Sequence, residues 1–406
     1  MKKTYIFTFI MACVGAIIGA GFASGKEIVS FFGELGFWAV PFLILVCALF
    51  FWCFFLFSQI GKMTKPSSIT NMTTSMFGKA HIFVDFCFII CTFITLASML
   101  AGCDSIGKIA FGSGYNFCYL SILTAIVVTI IISVGLRYIY KINNIILPVI
   151  LVFIGVILSV FLICQPKQVV SAEYINVNAF SGILSCVLYV SMNIFTNIFI
   201  IAKSSVILSK KQIWVASLIT SVILCLFIAV ILVCIVLGGD KIFLSDMPML
   251  EIAYSISSVL GMMYSAIMWL AIFTTICIAA YSIQMWLNCY IKNKFLCAVI
   301  VLTLGFVFSR FGFSTIVSVF YPLEGIFGTV FIVYSSVYYF KNKNIHKTCE
   351  LKKRQDMQGE FFATDVSDLP KSLETSTSGT SESNEPNIDA KNKQKTSKTA
   401  TVKKSC

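Results

Sequence analysis

The chain has 406 residues, of which 58% are hydrophobic and 12% charged, with a formal net charge of +12. A water-soluble domain of this composition would expose large contiguous apolar patches, whereas lipid accepts them, so the chain reads as an integral membrane protein. Thirteen of the 30 Lys and Arg lie after Phe340 and most others fall in short loops, so the charge reports topology and no nucleic-acid partner is expected.

Apolar runs of about 20 residues cross a hydrocarbon core about 30 Å thick. The sequence predicts an all-α membrane protein of about ten transmembrane helices, near 4–32, 37–60, 82–107, 118–136, 143–164, 179–201, 213–237, 256–289, 295–311 and 313–340. Lys2 and Lys3 ahead of the first run imitate a signal peptide. The run continues past Lys26 and nine more follow, so it reads as a retained helix. With a cytoplasmic N-terminus, inside segments hold twelve basic residues (among them Lys62, Lys79, Arg137, Lys203 and Lys292). The outside holds five, which are Lys26, Lys108, Lys167, Lys241 and Arg310. This bias predicts a multi-pass protein of the cell membrane with both termini cytoplasmic.

The first span carries Gly15-Ala16-Ile17-Ile18-Gly19-Ala20-Gly21-Phe22-Ala23-Ser24-Gly25-Lys26-Glu27. Each mid-helix glycine costs about 1 kcal/mol relative to Ala. Gly15 and Gly19 alone fit a small-residue packing seam, but Gly19, Gly21 and Gly25 lie on different faces. Local unwinding accounts for all of them, and unwound backbone at membrane depth is tolerated where it is buried or lines a cavity. The freed amides and carbonyls are then available to a polar solute.

The third span holds Asp85 near its inner end, close enough to water to be a solvated helix-end charge, and Asp104 and Lys108, an i,i+4 pair, near its outer end. In the sixth, Asn193 and Asn197 share one helical face beside Tyr189, and amides at that depth face protein or water. Asp246 to Glu251 precede the eighth span as an outer lid or a plain connection. Thr274 and Thr275 lie inside that span as self-bonded hydroxyls or as oxygen ligands for Na⁺. Glu324, after Pro322 in the tenth, is the most deeply embedded acid, a gate partner or coupling group.

An offset of 174 residues lays the first five spans on the last five, and carries Pro148 onto Pro322 and Gly19 onto Asn193. Five helices per half put the halves in opposite orientation, the hydropathy signature of an inverted repeat. The expected organisation is a transmembrane domain over 1–340, with repeats at about 4–164 and 179–340 and breaks in helices 1 and 6. A disordered cytoplasmic tail over 341–406, rich in Ser, Thr and alternating charge, follows it.

The stretch Ile18-Gly19-Ala20-Gly21-Phe22-Ala23-Ser24-Gly25-Lys26-Glu27-Ile28 resembles the signature of the YkvI-type bacterial membrane proteins. The five-plus-five plan resembles the amino acid–polyamine–organocation superfamily with the LeuT fold, over roughly residues 1–340. That resemblance implies a secondary transporter of a small solute, an amino acid or related compound, working by alternating access. It places the substrate on Gly19, Ala20, Gly21, Phe22, Ser24 and Gly25, opposite Tyr189, Asn193 and Asn197. Gly15, Ile18, Ala271, Thr274 and Thr275 match the positions that hold sodium in LeuT-fold symporters, and the fifth span lacks the lysine that replaces the ion in some proton-coupled relatives. Na⁺ is therefore the expected coupling ion, with no other cofactor. Membrane lipid and a small-molecule substrate are the expected partners. A sensor signalling through the tail is the alternative. An enzyme is not expected, because the sequence shows no His-Glu-x-x-His, no Gly-x-Ser-x-Gly and no paired intramembrane carboxylates.

Overall fold

The computed structural model describes residues 2–112, 115, 118–134, 139–164, 168–288 and 290–343. The chain divides into a unit over Met1–Tyr338 and a second over Tyr339–Cys406. The predicted tail lies outside the described residues from 344 on.

Ten apolar helical segments lie among the described residues. Six are long and apolar enough to cross a membrane, and four shorter ones cover 5–17, 119–133, 148–164 and 294–309. The first span is α1 (Lys2–Ile17), α2 (Ala20–Ser24) and α3 (Lys26–Phe32). Spans two to five are α4 (Ala39–Thr64), α6 (His81–Phe111), α7 (Tyr119–Val134) and α8 (Ile139–Cys164), with the short α5 (Ile69–Phe77) after α4. Spans six and seven are α9 (Ala179–Ser204) and α10 (Lys210–Val236). Two short helices follow, α11 (Asp240–Leu244) and α12 (Pro248–Ile256), and then α13 (Ser258–Leu287), α14 (Lys294–Ser309) and α15 (Phe313–Lys343).

Eight of the ten described spans fall into two groups. Spans one, two, six and seven pack together, with α1 and α4 both against α9 and α10. Spans three, four, eight and nine form the other group, α6 and α7 against α13 and α14. Each group takes the same two positions from each half, the pairing that a five-span repeat produces. The short helices also recur, α5 between spans two and three and α11–α12 between spans seven and eight.

Lipid is as apolar as leucine, so packing has to come from close approach. A β-carbon on Gly61 would run into the Ala202 carbonyl, and one on Gly328 into the Ser191 carbonyl, which brings α4 and α15 onto the backbone of α9. Phe331 then meets Phe57, Phe77, Phe88 and Phe195, drawn from four different helices. Apolar side chains such as Ile44, Ile82, Ile163 and Val330 remain exposed, as acyl chains require.

The unwinding of the first span takes the form of two short breaks, at Ile18–Gly19 and at Gly25, around one helical turn. Gly19 is extended (φ −95°, ψ −169°) and Gly25 is left-handed (φ 78°, ψ −9°). A side chain at Gly25 would be strained and would also press on Ile235 and Met249 at 3.0 Å. Two side-chain bonds satisfy carbonyls in this interrupted stretch, Ser24 Oγ donating to Gly21 O (2.6 Å) and Tyr264 Oη to Ala23 O (2.7 Å).

The predicted break in helix 6 is absent, and α9 runs unbroken over 26 residues. It contains a single glycine, Gly182 near its start. The Asn193 and Asn197 amides donate to the carbonyls of Tyr189 and Asn193 (3.0 Å each), four residues back in the same helix. The irregularity in the second half sits instead in α15, where Ile316–Phe320 forms a π turn. Pro322 follows it and has no N–H for the carbonyl of Ser318, which is a physical reason for the local widening.

Candidate functional site: a cavity at the break in the first span

A cavity of about 1710 Å³ lies between the two helix groups and reaches the break. Its deep wall includes Gly19, Ala20, Gly21, Glu27, Tyr321 and Glu324, and its flanks Thr92, Thr95, Asn193 and Asn197. Its mouth is formed by Ser68, Thr70, Lys79 and Tyr290, from the loops that the basic-residue bias assigns to the inside. No residue of the connection at 245–251 lines it.

That connection closes the other side. Lys26 Nζ donates to Ser245 O (3.0 Å), and Ser105 Oγ on α6 donates to Asp246 Oδ2 (2.9 Å). The segment thus ties α3, from the first group, to α6, from the second. Lys241 on α11 pairs with Glu251 on α12 at 3.2 Å and holds the turn between them. Of the two readings, lid or plain connection, this geometry is that of a lid. Lys26 is only 7% exposed, so it is no ordinary loop cation.

The predicted substrate residues divide. Gly19, Ala20, Gly21, Asn193 and Asn197 line the cavity. Phe22 and Ser24 are fully buried elsewhere, and Ser24 also accepts from Lys26 N (3.1 Å) as a cap of the break. Gly25 serves the backbone turn. Tyr189 is packed edge-on against Phe31, Phe32 and Phe50, away from the lining.

Of the predicted ion ligands, Gly15, Ile18, Ala271 and Thr275 share the cavity wall and Thr274 does not. Both threonine hydroxyls donate to Ala271 O at 2.9 Å, the self-bonded arrangement of hydroxyls in an apolar helix. Their oxygen lone pairs remain chemically suited to a hard cation. Among the described residues no cluster of His, Cys, Asp or Glu has metal-site geometry, and no disulfide links the thirteen described cysteines.

Two acids were placed differently by the sequence. Asp104 pairs with Arg310 (2.8 Å) and accepts from Tyr115 Oη (2.7 Å) and Ser121 Oγ (2.7 Å), in place of the i,i+4 pair with Lys108. Asp85 accepts from Thr73 Oγ1 (2.7 Å) on α5 at the cavity mouth, so it is more than a solvated helix-end charge.

Glu324 lies where the sequence put it, 2% exposed on the cavity wall, with Oε1 lacking a hydrogen-bond partner. Glu27 is the residue that the sequence reading passed over. It is 7% exposed and lines the same cavity, so two embedded acids, not one, face it. The available signal was its position six residues past Gly21 in the same broken span. Only the left-handed turn at Gly25, which resets the helix direction, decides which way it points.

No protein-family model matches the chain. It is 23% identical over 324 residues to the uncharacterized membrane protein YkvI of Bacillus subtilis strain 168, which covers 79% of this chain and 92% of the relative. Among solved structures it resembles MhsT in complex with L-phenylalanine, with a TM-score of 0.56, 15% identity, and coverage of 80% of this chain and 88% of that one. It also resembles the inward facing conformation of Mhp1, with a TM-score of 0.64, 14% identity, and coverage of 82% and 76%. Against Mhp1 in a closed conformation with bromovinylhydantoin bound, the TM-score is 0.54 at 14% identity, over 78% of this chain and 74% of that one. The chain has the LeuT fold and is similar in sequence to the uncharacterized membrane protein YkvI of Bacillus subtilis.

Proposed function

We propose that the protein is a secondary transporter of a small organic solute, an amino acid or a related compound. The observation that carries this reading is the cavity, which reaches the Gly19–Gly21 break from one side while the Lys26–Ser245 and Ser105–Asp246 contacts seal the other. A site at a discontinuous helix between two helix groups is where alternating access operates, by rocking one group against the other. The basic-residue bias makes the open side cytoplasmic, so the conformation is inward-open. The solved proteins that share the fold are named for complexes with L-phenylalanine and bromovinylhydantoin, which supports an organic solute of that size.

Sodium is the proposed coupling ion, held by the carbonyls of Gly15 and Ile18 with Ala271, Thr275 and Thr274. Gly15, Ile18, Ala271 and Thr275 share one wall, which supports the assignment, and Thr274 would have to turn toward it. The test is solute counterflow in proteoliposomes, with and without sodium, for the wild type and the Thr274→Ala/Thr275→Ala double variant. Sodium-stimulated counterflow that the double variant loses is the expected result. Stimulation that survives in the variant removes the ion site, and the absence of counterflow for any amino acid or amine removes the transporter reading.

A further inference from the structure

The deep end of the cavity carries two carboxyl groups and no basic one. Glu27 comes from α3 and Glu324 from α15, and α3 packs against the π turn at Ile316–Phe320 just before Glu324. They are 7% and 2% exposed and line the same cavity. Neither forms an ion pair among the described residues, and Glu324 Oε1 has no hydrogen-bond partner. The single basic residue in the lining is Lys79, at the mouth. Lys26, next to Glu27 in sequence, points its ammonium away to Ser245 O.

Burying one unpaired carboxylate in a low-dielectric interior is costly, and burying two beside each other more so. Such a pair stays protonated until a cation completes it. The break itself argues in the same direction. In a LeuT-type site the interrupted helix is where an anionic group would be expected to dock. Here the Glu27 carboxyl lies directly over Gly21 and fills that approach with an acidic group, which a bound cation would draw into its charged form. A substrate carboxylate would be repelled there, and an ammonium group attracted.

We propose that Glu27 and Glu324 together bind the ammonium group of the transported solute, which makes the substrate a net-cationic amine. This rests on the transporter reading for the movement of the solute but not for its binding. A primary ammonium has three donors, enough to bond both carboxylates and leave one for Thr95 or a water. The rest of the solute then lies along the apolar wall formed by Phe88, Met99 and Ile150. A neutral isostere of the amine would leave both acids unpaired and be rejected strongly, because a site built for a charged donor discriminates against its absence.

The experiment is calorimetric titration of the full-length protein in nanodiscs with n-butylamine, butane-1,4-diamine, n-butanol and leucine, in sodium-free and sodium-containing buffer. The amines are expected to bind at least tenfold more tightly than the alcohol or leucine. Glu27→Gln and Glu324→Gln are each expected to weaken amine binding tenfold or more, with thermal unfolding showing that both variants fold and Glu324→Asp restoring part of the affinity. Equal affinity for the alcohol, or Gln variants that keep amine affinity, overturns the proposal. So does a response to sodium alone that depends on Glu324 with none to amines. Amine binding without counterflow would overturn the transporter reading and leave this site standing. Amine counterflow unchanged in both Gln variants would overturn the site and leave transport standing.

Discussion

The Glu27 carboxylate occupies the space that a β-carbon on Gly21 would need, so the glycine and the acid form one unit across the break in the first span. On an ordinary helix Gly→Ala stabilises by up to about 1 kcal/mol, because Ala loses less backbone entropy. Here the added methyl would strike Glu27 and swing its carboxylate off the cavity wall. Gly21→Ala is therefore expected to lose solute affinity tenfold or more while its thermal unfolding temperature stays the same or rises. Affinity measured beside a melting curve checks this. Retained affinity would mean that the carboxylate does not need its place over the glycine.

Lys26 and Glu27 are adjacent in sequence yet serve opposite sides of the protein, Lys26 bonding to the closing segment at Ser245 and Glu27 lining the open cavity. Lys26→Met combined with Asp246→Asn removes the charged partners that hold this segment to α3 and α6. The double variant is expected to populate the state open to the other side. A cysteine introduced at Met99, on the cavity wall and buried, should then react several-fold faster with a membrane-impermeant maleimide added outside, as read by mass spectrometry of its peptide. An unchanged rate would place the seal elsewhere.

Outside the spans, Asp240 accepts from Ser171 Oγ (2.5 Å) and Ser171 N (2.7 Å), and these bonds hold its carboxyl below the usual aspartate range. A carboxyl depressed on folding contributes stability that is present above its unfolded value, about 3.9, and lost as pH falls through the lower folded value. Ser171→Ala should therefore melt at a lower temperature than the wild type at neutral pH. The gap should close as pH drops below about 4. Melting curves across that range check the sign, and a gap independent of pH would show that the bond is not charge-assisted.

The sequence was most legible where the physics is one-dimensional. Hydropathy alone places the ten crossings within a few residues of the observed helices, since each must satisfy its own backbone over a fixed thickness of hydrocarbon. The Gly19–Gly25 break was equally legible, because glycines on three helical faces have no account within a single packed seam. The offset of 174 anticipated the pairing of spans, since an inverted repeat carries its packing partners with it.

Helix 6 shows the limit of that reasoning. The offset pointed to Asn193 as a second break, but a polar side chain can bond to its own helix, and Asn193 and Asn197 do so. Symmetry of fold did not enforce symmetry of conformation.

By itself the sequence determined a ten-crossing helical membrane protein interrupted once by glycine and carrying an embedded acid at Glu324. Tertiary structure decided that Glu27, nearly 300 residues earlier, shares the wall with that acid, that Tyr189 and Ser24 are turned away from it, and that the Ser245–Met247 turn closes the far side. The reason is physical. Spacing along the chain sets which segments must enter the membrane, whereas facing across a cavity depends on helix rotation, and here one left-handed residue, Gly25, sets that rotation.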